Sequence, residues 1–265
     1  MRFLFFSPLF FIFISTPPFR TKSPMRIPIF TALLAILTAT QATADGPTPY
    51  PDPGNEAAWP GKGPIRVGSW MMDNRKTFWG KREKAVGAII FIGDSLIGGY
   101  KVADAFPQYK VANHGVGGEV TRGLLYRLKE DVIDLKPQAV VICSGSNDLS
   151  CRTNPDLAVQ NLSSAIDQLR AADSTMPIII CLVTPRDAAN APIDPGSLQK
   201  LNSGISRLAE GRKNVFVVDV FTPLATPEGL PVPEYFKPDK IHLLPAGYEK
   251  WTERLTPVFA GLNLK

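Results

Sequence analysis

Short apolar runs alternating with helical repeats predict an α/β domain of three layers, α/β/α, built on a central parallel sheet. Five runs of four to six residues carry the strands: 88–92, 109–112, 139–143, 178–183 and 215–218. They are almost continuously apolar, which suits strands covered on both faces. The segments between them repeat apolar residues at helical spacing, and the length fits one domain.

The N-terminus is set aside first, because targeting segments are removed from mature proteins. Phe3 to Ile14 is apolar but has no small-residue cleavage site close behind it. Met25-Arg26, the apolar core Ile27 to Leu37 and Ala42-Thr43-Ala44 together form a better signal peptide, cleaved after Ala44. Residues 1–44 are read as a leader, with the signal at 25–44 and residues 1–24 upstream of a start at Met25; a long two-part leader or an uncleaved anchor is the alternative. Neither apolar run reaches the roughly 20 residues of a membrane-spanning helix, so no stable membrane insertion is expected after cleavage. The expected location is secreted or periplasmic.

Cleavage leaves 221 of the 265 residues. It removes four basic residues and no acid, so the net charge falls from +5 to +1, with 25 basic against 24 acidic side chains. The basic stripe a nucleic-acid partner would need is absent. Residues 45–66 are Pro/Gly-rich and read as an extended lead-in; residues 67–265 form the domain. Trp70, Phe78 and Trp79 are expected as packing residues of an early helix. Asn154-Pro155 then starts a helix carrying Ala158, Leu162, Ala165, Ile166 and Leu169. Asp194-Pro195 starts another through Leu198, Leu201, Ile205 and Leu208. A last helix carries Tyr248, Trp251, Leu255, Val258 and Phe259, with Pro257 expected to kink or shorten it.

Cys143, Cys151 and Cys181 cannot all pair, and Cys143 and Cys181 read as buried thiols. With two histidines and no metal-ligand spacing, neither metal nor cofactor is expected.

Chemistry-bearing groups cluster after the strands. Gly93-Asp94-Ser95 places a hydroxyl at the carboxyl edge of the sheet. Serine needs a base, itself oriented by a third group. His114 and His242 are the candidates, and His242 has the better case because Asp239 lies three residues before it. Gly117-Gly118 can bring a backbone N–H close to a developing oxyanion, and Asn147 offers a neutral side-chain donor. Asp94 and Asp148 read as structural. The sequence has no G-x-S-x-G elbow, since Ile97 stands where the second glycine would be.

Phe91-Ile-Gly-Asp-Ser-Leu96, Asn113-His-Gly-Val-Gly-Gly118, Gly145-Ser-Asn-Asp148 and Asp239-Lys-Ile-His242 resemble, in order, the four blocks of the SGNH or GDSL hydrolases, especially the branch related to platelet-activating-factor acetylhydrolase. The resemblance covers roughly 85–260. It implies a flavodoxin-like sheet, Ser95 as nucleophile, the Asp239/His242 pair, oxyanion donors from the Ser95 and Gly118 amides and Asn147, and no metal or cofactor. The family often follows its Gly-Gly with Asp-Thr-Thr. Here Glu119-Val120-Thr121 stands instead, which leaves that loop's bonding open. The expected activity is hydrolysis of short acyl esters, acetyl first, on a carbohydrate or similar alcohol, with Tyr235 and Phe236 as a candidate sugar face. Acyl transfer to a sugar, phospholipid acetyl hydrolysis and a non-catalytic binding module are the alternatives. The oligomeric state is open.

Overall fold

A computed structural model describes residues 46–264 of the chain. Both apolar N-terminal runs and the Ala42–Ala44 site lie outside the described residues.

Strands β1 (Ile89–Gly93), β2 (Val111–Gly115), β3 (Ala139–Cys143), β4 (Ile178–Cys181) and β5 (Val215–Val218) form one parallel sheet in the order β2-β1-β3-β4-β5. Ile89 pairs with both Val111 and Ala139, Val140 with Ile178, and Ile178 with Val215. This is the flavodoxin-like order. The chain leaves β1 for one neighbour and returns to the other, so a crevice opens beyond the carboxyl ends of β1 and β3, where open α/β sheets bind ligands.

The five long helices are α1 (Ser69–Gly80), α2 (Thr121–Asp131), α3 (Pro155–Ala172), α4 (Ser197–Ser206) and α5 (Pro245–Ala260). Alternate strand residues point to opposite faces. Ile90, Ile92, Val140, Ile142, Ile178 and Ile180 pack against α2, α3 and α4. Ile89, Phe91, Val141, Cys143, Ile179 and Cys181 pack against α5 and the segment 96–106. Both faces are therefore dry, which is why the strands read as apolar without alternation.

Several boundaries differ from the sequence reading. β2 starts two residues later than expected and runs on through Asn113, His114 and Gly115. These polar residues are tolerated because each finds a partner: Asn113 Nδ2 donates to the carbonyls of Ile97 and Tyr100, and His114 Nδ1 lies 2.6 Å from Asp131 O. β1 is shifted by one residue, and β4 ends at Cys181, short of Val183. Asn154 caps α3 as expected, accepting from Asp156 N–H at 3.1 Å. At α4 the start is Ser197, and Asp194 contributes only its backbone carbonyl. Pro257 does not cut α5 short. It sits exposed in the final turn, while Leu255 and Phe259 are fully buried on either side and hold the helix to the sheet.

The Pro/Gly-rich lead-in is extended but firmly docked. Tyr50, Trp59 and Tyr126 form a ring cluster with centroids 5.4–5.8 Å apart. The Arg122 guanidinium reaches the carbonyls of Glu56, Pro60 and Gly63. Proline and glycine supply little core, but their carbonyls accept from side chains of the domain.

Candidate active site

Ser95 opens a short helix, Ser95–Gly98, directly after β1. Asp94 caps it, accepting from Leu96 N–H at 2.9 Å. Gly115 lets the next strand lie against this helix, since a Cβ there would collide with the backbone of Gly98. The serine is thus set at the crevice by the close approach of two backbones.

The Asp239–His242 turn faces it. His242 Nε2 lies 2.8 Å from Ser95 Oγ, and Nδ1 lies 2.7 Å from Asp239 Oδ2. The second oxygen of Asp239 accepts from the N–H groups of Ile241 and His242 at 3.0 and 2.9 Å. Burial would raise the Asp239 pKa, but the bonds from the His242 ring and these two N–H groups take it down to about 2. An ionised Asp239 can only accept, so the Nδ1 proton points to it and Nε2 is left to accept from the serine hydroxyl.

On the other side of Ser95 lies Gly117-Gly118. A Cβ on Gly117 would touch Ser95 Cβ at 3.8 Å, and Gly118 has φ +78°, a left-handed conformation suited to glycine. Among the described residues, neither the Ser95 nor the Gly118 N–H has a hydrogen-bond partner. Asn147 Nδ2 donates to Glu119 O at 3.0 Å, which leaves its second N–H unused. Ser95, His242 and Asp239 thus form one hydrogen-bonded chain, and Asn147 is bonded to Glu119, the neighbour of Gly118, beside the Gly117 that lies against Ser95.

The loop that departs from the family pattern is locked. Glu119 forms a two-pronged ion pair with Arg127, both bonds 2.7 Å and both side chains buried. Burial raises the Glu119 carboxyl, and the Arg127 guanidinium opposes that rise. Thr121 gives its N–H and hydroxyl to the Asp148 carboxylate at 3.0 and 2.7 Å, tying the Gly118 loop to the Asn147 turn. Burial lifts Asp148 to about 6 and Asp94 to about 7. Both are structural neighbours of the reacting groups rather than part of the Ser95–His242–Asp239 chain.

His114 takes no part in that chain. It is buried, bonded to Asp131 O and stacked on Phe78 with centroids 4.5 Å apart, and burial holds its pKa down at about 4. The sugar face expected from Tyr235 and Phe236 is not formed, because Phe236 is 4% exposed and belongs to the core. All three cysteines are unpaired, Cys143 and Cys181 buried and Cys151 partly so.

Two residues missed by the sequence reading stand at the site. Trp70, expected as packing, is 50% exposed, and its Nε1 donates to Gly117 O at 2.9 Å. Arg66 donates to Gly118 O at 3.3 Å and Asn147 Oδ1 at 3.4 Å. No local signal marks either, since a lone Arg in a Pro/Gly-rich stretch has no period or motif. On the His242 side a cleft of about 820 Å³ runs from Ser95 past Tyr100, Lys101, Lys237 and Tyr248. Among the described residues no group of three or more His, Cys, Asp or Glu side chains is placed to hold a metal ion, and no helix is long and apolar enough to cross a membrane.

The fold is a three-layer α/β/α sandwich that carries a Ser95–His242–Asp239 hydrogen-bonded chain at the carboxyl edge of its sheet. The model of the GDSL-like Lipase/Acylhydrolase family matches residues 91–250, more than half of the chain, and the chain belongs to that family. The platelet-activating factor acetylhydrolase IB subunit alpha2 of Rattus norvegicus is 24% identical over 191 residues, 68% of this chain and 79% of the relative. A GDSL-like lipase from Bacteroides thetaiotaomicron superposes with a TM-score of 0.62 at 24% identity, over 70% of this chain and 97% of that one. A lipase/acylhydrolase from Enterococcus faecalis gives 0.57 at 24%, over 67% and 97%. The protein is a carboxylic ester hydrolase.

Proposed function

We propose that this enzyme removes short acyl groups, acetyl first, from a polar alcohol such as a carbohydrate, through an acyl-enzyme on Ser95. The observation that carries this reading is the unbroken chain Ser95 Oγ, His242 Nε2, His242 Nδ1, Asp239 Oδ2, with links of 2.8 and 2.7 Å. Ser95 Oγ attacks the acyl carbon while Nε2 takes its proton. The carbonyl oxygen, now negative, is received by the Ser95 and Gly118 N–H groups and the free N–H of Asn147. His242 returns its proton to the leaving alcohol as the ester C–O bond breaks. A water then gives its proton to His242 and attacks the acyl-serine, and His242 passes that proton to Ser95 Oγ as the acyl–serine bond breaks, releasing the acid and restoring Ser95.

The size of the cleft and the charged residues along it support the substrate class. The leaving oxygen must reach His242, so the alcohol occupies the large cleft, whose rim carries Lys101, Asp104, Lys237 and Glu249. The acyl side is crowded, because Gly118 lies against Trp70, Met71 and Arg66. Each buried methylene contributes about 0.8 kcal/mol, and a crowded wall offers a long chain nowhere to gain it. The name of the rat relative points to acetyl as well. We also propose export with cleavage after Ala44, which the N-terminal mass of the native protein would test.

The deciding experiment compares kcat/KM for acetyl, butyryl and octanoyl esters of one alcohol, with Ser95→Ala alongside. Acetyl should lead and Ser95→Ala should be silent. Octanoyl in the lead would reject the crowded acyl side. A second comparison, acetylated sugar against acetylated phospholipid, separates the carbohydrate reading from phospholipid acetyl hydrolysis, and formation of acetylated sugar acceptor would reveal transfer.

A further inference from the structure

We propose that Arg66 is a positioning residue that fixes the side-chain amide of Asn147, so that its N–H, and not its oxygen, faces the developing oxyanion. The inference rests on the reading of Asn147 as an oxyanion donor. Arg66 precedes α1 and lies outside the 91–250 span of the family match.

A side-chain amide can turn by 180°, exchanging its oxygen with its NH₂ at almost no cost in shape. Only one of the two orientations can donate toward substrate. At Asn147 both flanking groups choose the same one. The Arg66 guanidinium can only donate, and its Nη1 faces Asn147 Oδ1 at 3.4 Å. The Glu119 carbonyl can only accept, and it faces Nδ2 at 3.0 Å. Turning the amide would set two donors against each other at Arg66 and two acceptors at Glu119. The Glu119 carbonyl itself is held in place by the buried pair with Arg127.

The same Nη1 also reaches Gly118 O at 3.3 Å, so one guanidinium nitrogen touches two of the three residues assigned to the oxyanion. The remaining contact, Nη2 to Cys151 Sγ at 3.4 Å, is likewise to a neutral group. These are long bonds, and their value lies in the donor and acceptor types that they fix.

The test is a double-mutant cycle on an acetyl ester, with kcat and KM measured for Arg66→Met, Arg66→Lys, Asn147→Ala and the double variant Arg66→Met/Asn147→Ala. Arg66→Met should lower kcat about 10-fold with KM changed less than about twofold, the pattern of an interaction made in the transition state. Arg66→Lys, which keeps a donor, should recover most of the loss. In the Asn147→Ala background Arg66→Met should have no further effect. An equal fall in both backgrounds, or a change confined to KM, would overturn the inference. If Asn147→Ala itself left kcat unchanged, the oxyanion reading would fail with it, whereas an Asn147→Ala loss of about 10² to 10³ with additive Arg66 effects would reject the positioning role alone. Thermal unfolding of each variant separates these outcomes from loss of the fold, and the half-buried Arg66→Lys keeps the test open if Arg66→Met is unstable.

Discussion

The two flanks of Ser95 are built in opposite ways. On one side the Asp239–His242 turn holds itself: Asp239 bonds residues two and three positions on, and Lys237 N–H closes the loop on His242 O at 2.7 Å. Its side chains are about a third exposed. On the other side Gly118 and Asn147 are held by groups far away in sequence. Thr121 reaches Asp148, Asn161 reaches both Thr121 and Lys62, and Tyr50 and Arg127 converge on Glu119. The difference fits the tasks proposed for the two flanks. A base that passes protons must stay near solvent and substrate, and one fixed acceptor is enough to orient it. Donors that await a charge must already point at it, and only a packed network prevents them from reorienting.

The comparison breaks most visibly on the His242 flank. His242→Ala should lower kcat by on the order of 10⁴ or more, while the midpoint of thermal unfolding barely moves, because the loop is closed by backbone and Asp239 bonds. A folded variant with kcat close to wild type would remove His242 from its assigned role.

The opposite flank should fail through stability. Arg127→Met leaves the buried Glu119 carboxylate with only the Tyr50 hydroxyl, which is 3.1 Å away. Removing one partner of a buried pair costs about 3–5 kcal/mol, to be read from urea unfolding. Adding Glu119→Gln should return part of that loss. A destabilisation below about 1 kcal/mol would mean that Arg127 does not carry the network.

His114 sharpens the same contrast with a smaller effect. Its folded pKa of about 4 lies below the ordinary 6.5. Between those values the unfolded chain binds more protons, so stability rises with pH across the window. The contribution is complete above about 6.5 and is lost as pH falls toward 4, about 3 kcal/mol for a shift of this size. Asp94 and Asp148, raised to about 7 and about 6, act with the opposite sign, losing stability as pH rises through those values. The measurement is therefore a difference: the stability advantage of wild type over His114→Gln should shrink as pH falls from 7 to 4. An advantage independent of pH would show that His114 does not titrate as its burial requires.

Much of this was open to reading along the chain. β3 and β5 begin and end where their apolar runs do, since β3 is buried throughout, β5 is buried or half-buried, and both are bounded by polar residues. Asp239 and His242 are legible because three residues of separation suffice for their contact. The end of β2 was not, because Asn113 and His114 look unlike strand residues until their partners at Ile97, Tyr100 and Asp131 are known. Trp70 and Arg66 were not legible either. The one looks like any core aromatic and the other like any surface charge, and only docking of α1 and of the lead-in brings them to Gly117 and Asn147.

The sequence by itself determined the strand and helix alternation and marked the Ser95 block and the Asp239–His242 pair, for which we propose the roles of nucleophile and acid–base partner, because apolar periodicity and short-range hydrogen bonds depend on neighbours within a few residues. The tertiary structure decided which of two histidines meets Ser95 and which is sealed in the core. It also decided that a Pro/Gly-rich segment becomes part of the active-site wall. Those outcomes depend on contacts between residues as much as 147 positions apart, as from Ser95 to His242. Such contacts exist only once the sheet has brought the carboxyl ends of its strands together, so no local pattern records them.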